Sequence, residues 1–147
     1  MFIRLTSSQI PAFWDLYKQS LIVSNNIPRE HQQDFAIREL EKMLSGLSQA
    51  WMGYVLDENG DKRIQYTLTS RIVYENYKGI RALYLSSLYR YGGLDSDMLV
   101  EADAHVTEFG RSVGCKVIIV EYSLDIMAEH LNYCGYETFL KMSRKFI

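Results

Sequence analysis

Between Ile80 and Tyr122 the hydrophobic period changes twice, and no other stretch constrains the fold as much. Residues 80–85 read as a strand. Residues 95–113 then place Met98, Leu99, Ala102, Val106, Phe109 and Val113 at helical spacing, with Gly114 ending the stripe. Val117-Ile118-Ile119-Val120 follows, a continuous apolar run of the kind that fills a strand covered on both faces. Strand, long amphipathic helix and second apolar strand, in that order, put the chain in the α/β class.

The rest of the chain extends that pattern. Residues 2–6 read as a short strand. Ser7 or Ser8 is placed to cap a helix that carries Ile10, Phe13, Trp14, Tyr17 and Leu21 on one face, with Pro11 in its first turn. Asn25-Asn26 breaks this helix, and Pro28 opens a second with the stripe Phe35, Ile37, Leu40, Met43, Leu44 and Leu47. Period-two alternation follows: Ala50, Met52, Tyr54 and Leu56 against Trp51, Gly53 and Val55, a strand covered on both faces. Residues 57–61 form a hairpin turn in which Asn59-Gly60 supplies positive φ. A strand over 63–75 has Ile64, Tyr66 and Leu68 on one face, and residues 76–79 turn into the strand at 80–85. Residues 123–134 make a short helix stopped by Gly135, and 136–146 close with a strand. The expected order is β-α-α-β-β-β-α-β-α-β, a mixed central sheet with helices on both faces, in a single domain over 1–147.

Charge and cysteine usage exclude several functions. Sixteen Lys and Arg against eighteen Asp and Glu leave a net charge of −2, so no overall basic field exists for nucleic acid. Lys141, Arg144 and Lys145 are too few for such a footprint. Cys115 and Cys134 make no disulfide framework, and with three histidines no zinc spacing occurs. No apolar run reaches membrane-spanning length. The expectation is a soluble chain of a reducing, cytoplasmic interior, with no nucleic-acid or membrane partner.

Ahead of the long helix, Leu83-Tyr84-Leu85-Ser86-Ser87-Leu88-Tyr89 leads into Arg90-Tyr91-Gly92-Gly93-Leu94-Asp95. With the element order, this stretch resembles the GCN5-related N-acetyltransferase (GNAT) superfamily. That family's signature runs Leu-x-Val-x-Pro-x-Tyr, then Gln/Arg-x-x-Gly-x-Gly/Ala. Arg90 and Gly93 match it; Asp95 departs from the final Gly/Ala. The resemblance is residue-level over 83–136 and topological elsewhere. It implies a GNAT-like sheet and an acyl-CoA cofactor, acetyl-CoA or another. Backbone near Leu83 and Leu85 would pair with the pantetheine arm where two parallel strands splay, and Arg90, Tyr91, Gly92, Gly93, Leu94 and Asp95 would face the diphosphate. Backbone N–H groups at a helix N-terminus bind such an anion. A carboxylate at Asp95 would instead cap the helix with those same donors. It would also set like charge near the ligand, worth roughly 1–4 kcal/mol depending on the effective dielectric.

The stretch Met127-Ala128-Glu129-His130-Leu131-Asn132-Tyr133-Cys134-Gly135-Tyr136 resembles the family's Ala-x-x-x-Tyr-x-x-x-Gly-Phe. The tyrosine that protonates the departing thiolate in the family falls here at Leu131. Tyr133 lies about 200° round the helix and reads as a packing residue. Residues 80–85 carry no carboxylate, which leaves Glu75 and Glu121 as candidate general bases for an ammonium substrate. His105 reads as a boundary residue. His130 has no triad partner, and Cys134 reads as a small packed side chain.

Two functions are consistent with this reading. One is an acyl-CoA-dependent N-acyltransferase acting on a primary amine. The other is a GNAT-fold protein without the chemistry, serving as a structural or partner-binding component, such as a phage virion or internal protein or a homo-oligomer. Its motivation is the triple departure at Asp95, Leu131 and residues 80–85, and the eleven tyrosines suit a contact surface.

Overall fold

Two apolar clusters lie on opposite faces of one five-stranded sheet, and each is closed by its own helices. The computed structural model describes residues 1–75, 79–92, 95–122, 125–137 and 145. The elements are β1 (Phe2–Arg4), α1 (Ile10–Ser24), a 3₁₀ turn (Arg29–His31), α2 (Gln32–Leu44), β2 (Ser48–Leu56), β3 (Lys62–Glu75), β4 (Ile80–Arg90), α3 (Ser96–Ser112), β5 (Val117–Val120) and α4 (Asp125–Tyr133). The strands lie in the order β1-β2-β3-β4-β5, antiparallel except for the parallel pair β4–β5. This is the expected mixed sheet with helices on both faces. The expected strand over 136–146 is not seen at residues 136–137, and 138–144 and 146 lie outside the described residues, as do Lys141 and Arg144.

One face of the sheet gathers Phe2, Trp51, Tyr66, Leu68, Leu83 and Leu85 with Ala102 and Val106 of α3. The other gathers Leu5, Ala50, Met52 and Tyr54 with Ile10, Tyr17 and Leu21 of α1 and Met43 of α2. The alternation expected of β2 is therefore real, with Trp51 facing α3 and its neighbours facing α1 and α2. On β3 the expected single face is wrong. Tyr54 pairs with Ile64 and Gly53 with Tyr66, so Gln65 bulges out. Its extra residue sends Ile64 to the α1–α2 side and Tyr66 and Leu68 to the α3 side.

Other expectations are corrected by hydrogen bonding and burial. Neither Ser7 nor Ser8 caps α1. The chain already turns at residues 6–9, Gln9 stands at the N-cap, and its Oε1 accepts from the Thr6 N–H at 2.8 Å. On α2 the packed residues are Phe35, Ala36, Leu40 and Met43, whereas Ile37, Leu44 and Leu47 are exposed, Leu47 at 70 %. Half of the stripe read from sequence, Phe35, Leu40 and Met43, is on the packed face, and the other half lies beside it because Ala36 is buried there in place of Ile37. In the hairpin turn only Gly60 has positive φ; Asp57 Oδ1 accepts from the N–H groups of Asn59 and Asp61 and fixes the rest. The four residues of β5 are half-buried rather than buried, since β5 is the outermost strand among the described residues.

Candidate functional site

The parallel pairing of β4 and β5 runs from Ala82↔Val117 to Leu85↔Val120, and the Glu121 N–H donates to the Leu85 carbonyl at 2.9 Å as the last rung. Beyond it β4 continues to Arg90 against β3 alone. There the register slips from Thr69↔Ser86 to Thr67↔Tyr89, so Ser87 and Leu88 together oppose Leu68. Such a bulge bends its strand, here where β4 and β5 part. Ser87 sits at φ +56°, a left-handed conformation that costs a non-glycine residue about 1–2 kcal/mol. Asn25, at the end of α1, holds it: its Nδ2 donates to Ser87 Oγ and to the Leu21 carbonyl, each at 2.8 Å. Sequence reading took Asn25 only as a helix breaker and missed the bulge, since Ser86-Ser87 contains no glycine to announce it.

Leu83 and Leu85 are therefore not open to a ligand arm. Both are paired on one side to β3, through Ile72 and Ser70, and on the other to Ile118 and Val120 of β5. Backbone facing the gap belongs to residues 86–90. Beneath the gap, on the α3 side, lies a cavity of about 60 Å³. Leu85, Leu88, Leu99, Val120, Met127 and Leu131 are among its walls. Its polar edge is closed: the Tyr136 hydroxyl donates to Asp103 Oδ1 at 2.7 Å, and burial with the adjacent carboxylate holds that phenol far above the usual tyrosine range. Leu131 is thus an apolar wall where the family carries a proton donor. Tyr133 is 79 % exposed, which overturns its reading as a packing residue while keeping its hydroxyl away from the cavity. Cys134 lines the cavity, and burial raises its thiol pKa, as expected of a packed, unreactive cysteine.

The described donors of the loop after β4 are spent on the protein itself. The N–H groups of Tyr91 and Gly92 both donate to the carbonyl of the bulged Gln65, at 2.7 and 3.1 Å. A Cβ on Gly92 would lie 2.5 Å from Oε1 of the Gln65 side chain, whose amide would have to swing aside. The Tyr91 hydroxyl donates to the Leu16 carbonyl of α1 at 2.6 Å, and burial raises its pKa. Arg90 is exposed at the end of β4. Gly93 and Leu94 lie outside the described residues. Asp95 is the N-cap of α3, as its sequence position suggested, with Oδ1 accepting from the Met98 N–H at 2.9 Å; Asp97 adds a second acidic residue to the first turn.

The two candidate bases are far apart. Glu121 lies exposed where β5 leaves β4, and its Oε2 accepts from the Tyr84 hydroxyl at 2.5 Å. Glu75 pairs with Ile80 at the opposite end of β4. Leu85 is five residues further along that strand, roughly 16 Å at strand rise. No group of acidic, histidine or cysteine side chains suited to a metal ion occurs among the described residues, and no helix there is long and apolar enough to cross a membrane.

The strand order, the parallel β4–β5 pair with its bulge and gap, and the helix that follows the glycine loop define the fold of the GCN5-related N-acetyltransferases. Solved structures of that fold superpose over 97–100 % of the chain. A predicted acetyltransferase from Clostridium acetobutylicum, solved with acetyl-CoA, has a TM-score of 0.68 at 14 % identity and covers 97 % of this chain and 95 % of its own. Glucosamine-6-phosphate N-acetyltransferase from Arabidopsis thaliana has a TM-score of 0.66 at 16 % identity, over 100 % and 98 %. A GCN5-related N-acetyltransferase from Ralstonia eutropha has 0.66 at 11 % identity, over 99 % and 97 %. No family model matches the chain, and no curated relative does. Among the described residues of the loop, the donors of Tyr91, Gly92 and Met98 are taken within the protein, and the Asp95 and Asp97 carboxylates flank the helix start, a poor match to the diphosphate of coenzyme A.

Proposed function

We propose that this is a GNAT-fold binding protein that does not hold coenzyme A at the diphosphate loop and acts as a ligand- or partner-binding component, of which assembly into a larger particle is one form. The observation that carries this reading is the bifurcated acceptance by Gln65 of the Tyr91 and Gly92 N–H groups. An anion that drew on the Tyr91, Gly92 and Met98 N–H groups would have to break those bonds and displace the Asp95 cap, each a loss of about 0.5–1.5 kcal/mol.

A second reading, an acyl-CoA-dependent N-acyltransferase, is favoured by the β4–β5 gap, the Ser87 bulge and the Glu121 carboxylate at the gap's apex. There, Glu121 would accept a proton from the attacking amine. Calorimetric titration with acetyl-CoA separates the two. The binding reading expects no heat from the wild-type protein at millimolar ligand. It expects none from Asp95→Gly either, because Gln65 still holds the two donors. Micromolar binding by the wild type overturns it in favour of the enzyme.

A further inference from the structure

The apex of the gap has a second face, turned away from the cavity, and three side chains cross it in a row. Arg71 of β3 and Tyr84 of β4 are register partners, and the Arg71 guanidinium carbon stands 4.9 Å from the centre of the Tyr84 ring. At the hydroxyl end of that ring, Tyr84 donates to Glu121. Next along both strands the hydroxyls of Thr69 and Ser86 meet at 3.1 Å, so the strip stays polar toward Ser87.

Arg71 and Glu121 are both exposed and do not pair with each other: the ion pairs among the described residues are Met1–Glu101 and Lys42–Glu39. The phenol ring keeps the two charges apart, bonded to the carboxylate at its hydroxyl and stacked under the guanidinium at its face. Glu121 uses only Oε2 on Tyr84, which leaves Oε1 as an acceptor. The Arg71 N–H groups have no protein acceptor among the described residues. Arg81, by contrast, spends its donors on the Val113 carbonyl and the Tyr74 hydroxyl. What remains is a cationic donor on the face of Tyr84 and an anionic acceptor at its hydroxyl.

We propose that Arg71, Tyr84 and Glu121 form a binding site for a small dipolar molecule of the ω-amino acid type, its ammonium on Glu121 and its carboxylate on Arg71. A molecule with both charges satisfies both ends, whereas an amine or a carboxylate alone leaves one end to water, and specificity arises from that difference. The site goes beyond the binding role proposed above and needs no coenzyme A.

The test is a titration of the full-length ¹⁵N-labelled protein followed by amide chemical shifts, with 4-aminobutyrate, butylamine and butyrate as probes. The amides of Arg71, Tyr84 and Glu121 should move with 4-aminobutyrate, and either half-molecule should bind about fivefold more weakly, the upper range for one exposed charge contact. Glu121→Gln should equalise 4-aminobutyrate with butyrate, and Arg71→Gln should equalise it with butylamine, with the remaining amide spectrum unchanged in both variants. Equal binding of the three probes by the wild type, shifts elsewhere on the surface, or selectivity that survives both substitutions would overturn the site. Coenzyme A binding by the wild type would overturn the previous reading and leave this one standing.

Discussion

The gap between β4 and β5 and the loop that follows it belong to one continuous stretch of chain, yet they treat their backbone in opposite ways. In the gap, β4 has lost its β5 partner and residues 86–90 face outward on that side. In the loop, Tyr91 and Gly92 are drawn back onto β3 through the Gln65 carbonyl. The same fold thus keeps the opening that a two-strand divergence creates while two donors of the neighbouring loop turn back onto the sheet. Fold resemblance carries the first feature and says nothing of the second, which depends on where individual N–H groups go.

The contrast can be sharpened by stability measurements. Leu85 is both the last rung of the parallel pair and a buried core side chain. Leu85→Ala should therefore cost about 2–5 kcal/mol in denaturant unfolding. Asp95→Ala removes only a cap and should cost about 0.5–2 kcal/mol. Equal losses at the two positions would break the distinction between a structural gap and a peripheral loop.

A second expectation concerns alkaline pH. Burial and the hydrogen bond to Glu121 push the Tyr84 hydroxyl up from 10.0 to about 12. In the unfolded chain the phenol ionises near 10, so above that pH the folded state holds the extra proton and stability falls. The contribution is complete below pH 10 and is lost as the pH rises through about 12. Unfolding free energies measured from pH 9 upward should decline, and Tyr84→Phe should make the decline shallower. An unchanged slope would show that the phenol is not held protonated at the gap.

The smallest effect is expected at the bulge. Ser87→Gly relieves the left-handed conformation but gives up the bond from Asn25, so its stability should stay within about 0.5 kcal/mol of the wild type. Ser87→Ala loses the bond and keeps the strain, and should be about 1 kcal/mol less stable than the glycine variant. The reverse order would mean that the bulge does not set the course of β4.

Most of the architecture was legible because it rests on hydrophobic period: α3, β5 and the two-sided β2 follow directly from Met98 to Val113, Val117 to Val120 and Ala50 to Tyr54. The Asp95 cap was legible too, since a short carboxylate before a helical stripe has one favoured use. Illegible features depend on single residues that break the period. Gln65 and Ser87 are ordinary strand positions by composition, and only cross-strand pairing reveals them as extra. Exposure of Ile37 and Leu44 has the same origin: helical spacing allowed two adjacent stripes, and contact with β2 and α1 chose the one through Ala36. At the candidate site, sequence named Glu121 but could not supply Tyr84 and Arg71, which reach it from other strands.

The bulge at Gln65 works as a parity bit for the second half of β3. Because it takes up one residue, Ile64 and Tyr66 lie on opposite faces of the sheet although they are two apart in sequence. Through its carbonyl the same residue also holds the loop after β4 closed. A chain that deleted this one residue would leave Ile64 and Tyr66 as ordinary neighbours on opposite faces, so both cores would keep their side chains. The same deletion would take away the carbonyl that accepts from Tyr91 and Gly92. One residue thus ties the loop to the sheet, and its removal would free the loop without rebuilding a core.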